Sequence, residues 1–142
     1  MTSDFHIREK RPKAAFNEIK DQVLPSLRKN LKYGEIDKYE SKFRELCVDF
    51  RILLERTVEK VLLNDVVARF RRSVKTMGQI NALSKIQLCD CSLLDDLMTR
   101  YSCFVHSQSE ELPVHLPSLD DLEGDLKSVI DWITEFEKRP VT

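Results

Sequence analysis

Apolar residues recur at spacings of three and four along most of the chain, the period of an amphipathic helix, and no stretch alternates as a half-buried strand would. Phe16, Ile19, Val23, Leu27 and Leu31 form the first stripe. Pro25 lies within it and lacks the N–H that a helix interior needs, so a kink or short break is expected near Leu24. Gly34, in "KYGE", suits the left-handed position after a last helical turn. The strongest stripe follows: Ile36, Tyr39, Phe43, Leu46, Phe50, Leu53 and Thr57, broadened by Val58, Val61 and Leu62. Asp37 is placed to cap its start, and about seven turns are expected before "LLND". A stripe this wide suits packing inside a bundle better than a two-stranded coiled coil.

In "NDVVARFRRSVKTMGQ", Val66, Val67 and Phe70 read as buried, while Gly78 marks a turn before one or two helical turns in "INALSKI". "DCSLLDDLMTRYSCFVH" reads as a helix capped by Asp90 or Ser92, with Leu93, Leu94, Leu97, Met98, Tyr101, Phe104 and Val105 on its apolar face. After the proline-bearing loop "SQSEELPVHLP", Ser118 and Asp121 make a capping box. The helix it opens carries Leu119, Leu122, Leu126, Val129, Ile130, Ile133 and Phe136 as its stripe and stops at Pro140. The predicted architecture is all-α, a helical bundle of four main helices plus one or two short ones. Residues 1–12 are expected to be a flexible N-terminal segment and 13–139 a single helical domain.

Composition narrows the function. With 142 residues, 42% of them hydrophobic and 33% charged, the chain has material for one sizeable core and is no charged disordered tail. A formal charge of −1 supplies no global field for nucleic acid, so phosphate binding would need a local patch. No apolar run has the length of a membrane span and the charged start lacks a signal-peptide core, so no membrane association and a cytoplasmic location are expected. The four cysteines then read as reduced, with Cys47 a small core residue.

Three constellations could carry chemistry, and one common signal is absent. Three scattered glycines and no G-x-x-x-x-G-K-[ST] exclude ATPase activity by this chain alone, and no cofactor is expected. Cys89-x-Cys91 and Cys103-x-x-His106 supply four zinc-type ligands in order, but C-x-C is not the usual two-residue knuckle and Cys103 faces near the apolar stripe, so no metal site is expected. Arg69, Arg71, Arg72 and Lys75 form the densest basic cluster, a candidate phosphate or nucleic-acid contact or simply a solvated face. His6 and His115 stand alone in polar surroundings and read as surface residues. Arg100 and His106 are six residues apart, about 240° on a straight helix, and would converge only if the helix ended or unwound between them. Asp96, four residues before Arg100, is placed to hold the guanidinium. Brought to one phosphate, the pair would make a metal-independent ribonuclease site, His106 taking the 2′-hydroxyl proton and Arg100 stabilising the phosphorane. The alternative is a helix-end cation and a polar terminator.

From about Lys13 to Arg139 the chain resembles the C-terminal helical region of bacterial AAA-family ATPases with coiled-coil insertions, some of them linked to phage defence and anticodon nucleases. The stretches that carry this are "LERTVEKVLLNDVVARFRRSVKT", "LLDDLMTRYSCFVHSQSEELPVHLP" and "DDLEGDLKSVIDWITEFEKR". Arg100-x5-His106 within a bundle is also similar to the R-x(4–6)-H motif of HEPN domains, which implies an endoribonuclease assembled across a dimer, with Asp96 as acidic support. Tyr101 departs from that pattern, which usually has a small polar residue there. The first resemblance implies a helical interaction module that binds a P-loop ATPase or itself as a homodimer; the second implies an RNase that takes RNA.

Overall fold

The computed structural model describes residues 10–106 and 117–141, the side chains of 103–106 excepted. Within these the chain is all-α, as its periodicity predicts: α1 (Pro12–Glu18), α2 (Leu24–Lys32), α3 (Ile36–Thr57), α4 (Leu88–His106) and α5 (Leu119–Lys138). π-Helical segments Ile19–Val23 and Val58–Leu62 prolong α1 and α3, and a short 3-10 helix spans Ile80–Lys85. No described helix is long and apolar enough to cross a membrane. The loop 107–116 lies outside the described residues, with His115 in it; so does His6.

Pro25 does not break the first rod. Its missing N–H and its ring are accommodated by the widened segment Ile19–Val23 just before it, where Leu24 N–H bonds to the Ile19 carbonyl, and α2 continues with the proline in its first turn. At the far end Gly34 takes φ +73°, the Gly34 N–H reaches the Leu31 carbonyl and the Glu35 N–H the Asn30 carbonyl. That pair of bonds is a Schellman stop and requires the left-handed conformation that glycine tolerates.

Helix α3 is the spine, and α1, α2 and α4 all pack on it, with α5 against α1. Its stripe is buried from Phe43 through Thr57, and Cys47 is fully buried, as expected. Phe50 sits at the centre, its ring centroid 5.5 Å from Phe16 of α1 and 4.6 Å from Tyr101 of α4. One expectation fails at the helix start. The N-cap is Glu35, whose side chain makes no capping bond, and Asp37 lies already inside the first turn, where its charge faces the positive end of the helix dipole. Helix α5 starts as read: Ser118 Oγ accepts from the Asp121 N–H at 3.0 Å, and the Asp121 carboxylate accepts from the Ser118 N–H at 3.4 Å.

The segment from Leu63 to Gln79 departs most from expectation. It is turns and bends, and of the three residues read as buried only Val66 is so; Val67 is 49% exposed and Phe70 fully exposed. The cause is local. Asn64 and Asp65 both adopt positive φ (48° and 61°), which ends the helix, as short polar side chains permit. Helical spacing between Val66 and Met77 therefore reports no helix.

Candidate functional site

The loop that follows α3 is held in place by its charges. Asp65 accepts from Lys60 Nζ at 2.9 Å, and Arg71 and Lys75 approach the same carboxylate to 3.3 and 3.7 Å. Arg71 also donates to the Asp65 and Ser73 carbonyls. Arg69 reaches back to α3 and the turn after it, 2.8 Å from Glu55 and 3.1 Å from Glu59. Asn64 and Gln79 each donate to the other's carbonyl, at 3.2 and 3.3 Å, and the Lys75 N–H closes the loop on the Val66 carbonyl. Lys60, first by its hydrogen bond and then by its charge, holds the Asp65 carboxyl below its ordinary range, with Arg71 and Lys75 assisting against the cost of burial.

The loop's charges are paired internally while its apolar groups are left without cover. Three of the four cations in the basic cluster, Arg69, Arg71 and Lys75, are turned onto acidic groups of the protein itself; Arg72 is exposed and makes no ion pair among the described residues. The apolar side chains are left outward: Phe70 at 103% and Met77 at 94% exposure, with Val67, Val74 and Ile80 about half exposed. Phe70 moreover holds φ +68°, an uncommon and costly conformation for a bulky residue that here gains no packing. A row of outward apolar side chains on a pinned scaffold can bury area against another surface, whereas a cluster whose charges are already answered internally is a poor phosphate clamp.

Arg100 and Tyr101 converge on one carboxylate. Arg100 Nη1 donates to Asp125 Oδ1 of α5, and the Tyr101 hydroxyl donates to Oδ2 of the same group at 2.7 Å. The Tyr101 ring is fully buried against Phe50. Burial, followed by the hydrogen bond to Asp125, pushes its phenol far above the ordinary value, and the Asp125 bond raises the Arg100 guanidinium. Asp96 is exposed and adds only a weaker attraction to Arg100; the ion pair that was expected within α4 is made across to α5 instead. Helix α4 runs without a break through His106, so the helix end or unwinding that was expected to bring Arg100 and His106 together does not occur between them. The His106 side chain lies outside the described residues.

A further polar cluster was not legible in the sequence. Asp90, fully buried, accepts from the Gln87 N–H at 2.7 Å, from Trp132 Nε1 at 2.9 Å and from Arg139 Nη1 and Nη2 at 2.7 and 3.2 Å. The helix starts at Leu88, earlier than expected, so Asp90 and Ser92 lie inside it and neither is its cap residue; Asp90 serves the start from the third helical position instead. Burial alone would raise its pKa, but the bonds from Arg139, Trp132 and Gln87 together bring it below the ordinary carboxylate value. Arg139 is shared with Glu135 at 2.8 Å and lies 5.2 Å from the Phe136 ring centre. This ties the C-terminal end of α5 to the start of α4.

Of the zinc-type ligands, Cys89 and Cys91 are exposed free thiols two positions apart on α4, so they leave the helix about 200° apart and do not face a common ion. The Cys103 and His106 side chains lie outside the described residues, and among the described ones no group of three or more His, Cys, Asp or Glu could hold a metal. No family model, curated protein or solved structure matches the chain.

Proposed function

We propose that this chain is a helical interaction module, of the kind implied by its resemblance to the C-terminal region of AAA-family ATPases, and that it binds a protein partner through the loop after α3. The observation that carries this reading is the loop's pairing pattern, with Phe70 and Met77 fully outward while Arg69, Arg71 and Lys75 are already paired with acids of the chain itself. The partner is a second copy of the chain or a P-loop ATPase of the family it resembles. The alternative ribonuclease reading draws less support. Its arginine is engaged by Asp125, and Tyr101 beside it serves as a core residue.

The test replaces Phe70 and Met77 together with Asp. Both are exposed, so thermal stability should change by less than about 0.5 kcal/mol. In sedimentation velocity at tens of micromolar the parent should associate and the variant should not. A strictly monomeric parent would move the reading to the ATPase partner, tested by co-purification with an ATPase encoded beside it; failure of both refutes the module. Cleavage of RNA by the purified chain, lost in Arg100→Ala and His106→Ala and unaffected by EDTA, would establish the alternative.

A further inference from the structure

Away from the loop's apolar row, a cavity of about 710 Å³ opens where α1, the end of the α3 rod and α5 meet. That volume is within the range of small-molecule sites. Four cations line it: Arg11 and Lys13 from the start of α1, Arg56 and Lys60 from the α3 side. Two carboxylates, Asp65 and Glu137, face them. The balance is uneven. Lys60 and Asp65 satisfy each other at 2.9 Å, and Asp65 is also held from outside the cavity by Arg71 and Lys75. The side chains of Arg11, Lys13 and Arg56 make no ion pair or hydrogen bond with another described residue, in a chain with 24 acidic groups to choose from. Lys13 and Arg56 are half-buried, so their charges are only partly screened by water. Three unanswered cations on two separate helices, converging on one concavity, focus a positive potential into it.

We infer that this cavity binds a small phosphomonoester. A dianionic phosphate matches the surplus charge, and Arg56 and Arg11 offer planar donor forks that take phosphate oxygens in pairs while Lys13 acts as a point charge. Val61 and Ile133 supply an apolar wall for the organic part of such a ligand, which bare phosphate would leave unused. Asn17 adds an uncharged donor and acceptor to the lining. The site shares Lys60 and Asp65 with the loop but uses neither Phe70 nor Met77, so its test is separate from that of the interaction reading.

The experiment is calorimetric titration of the full chain with phenyl phosphate, with inorganic phosphate and phenol as the two halves of the probe. Phenyl phosphate should bind one to one, more tightly than phosphate alone, and phenol should not bind. Arg56→Gln and Lys13→Gln, on different helices, should each weaken binding at least tenfold with unchanged melting. Arg72→Gln, which removes an exposed cation elsewhere, should leave it unchanged. The inference is overturned by the absence of saturable binding at millimolar phenyl phosphate, by equal losses in all three variants, or by retained affinity in both cavity variants. Preference for an oligonucleotide phosphodiester over phenyl phosphate would overturn it as well.

Discussion

Replacing Asp90 by Asn keeps the shape of a buried side chain and removes its charge. The carboxylate accepts from four N–H groups in the folded chain, those of Gln87, Trp132 and Arg139, the last through two nitrogens. An amide offers one oxygen to these donors and turns its own NH₂ toward the remainder, so at least one buried donor loses its acceptor. Breaking a buried charge pair from one side costs about 3–5 kcal/mol. Glu135 still engages the guanidinium, which places the expected loss at the lower end. A loss of about 3 kcal/mol would lower the urea midpoint by about 1.5 M for a slope near 2 kcal/mol/M, and Tm by roughly 10 °C. Circular dichroism at 222 nm reads both. The pH dependence follows from the lowered pKa of Asp90 in the folded state. A depressed carboxyl contributes stability that is fully present above its unfolded value, near 3.9, and is lost as pH falls through the folded value. The gap between parent and variant should therefore be constant from neutral pH down to about 5 and close below 4. A loss under about 1 kcal/mol at pH 7, or a gap that persists undiminished at pH 2, would refute the account of Asp90 as an ionised, fully bonded hub.

Two further predictions test the core and a turn. Phe50→Ala removes a fully buried ring in contact with Phe16 and Tyr101 and should cost about 3–5 kcal/mol in chemical denaturation, whereas Ile36→Ala, in the same stripe but 48% exposed, should cost less than about 1 kcal/mol; equal costs would show that the stripe is not buried as described. Gly34→Ala should cost about 1 kcal/mol through its φ of +73° alone, since a Cβ there would meet nothing within 4 Å, and an unchanged Tm would mean the Schellman stop is not formed in solution.

The features legible in the sequence are those whose causes are local. The Ser118–Asp121 capping box spans four residues, Gly34 answers a backbone requirement one residue wide, and the α3 stripe repeats its signal over about six turns, so each is set by neighbours along the chain. Pro25 shows the limit of this, because whether a helix breaks or widens around a proline depends on what holds its two halves, and here core positions Phe16, Ile19, Leu24 and Leu27 anchor both sides of the widened turn.

Tertiary structure decided the rest. Arg100 lies four residues from Asp96 yet pairs with Asp125, because α5 brings a less exposed carboxylate shared with Tyr101 to the same place. Asp90, Trp132 and Arg139 are separated by 42 and 49 residues, and no spacing rule relates them. The segment after α3 is the sharpest case: Val67, Phe70, Val74 and Met77 keep helical spacing, but the acids of α3 and Asp65 pair with the intervening cations in a non-helical loop that leaves the apolar residues outside. Periodicity records which residues would share a face if a helix formed. Whether it forms, and which face is covered, is set by long-range contacts whose free energies depend on distance in space and not along the chain.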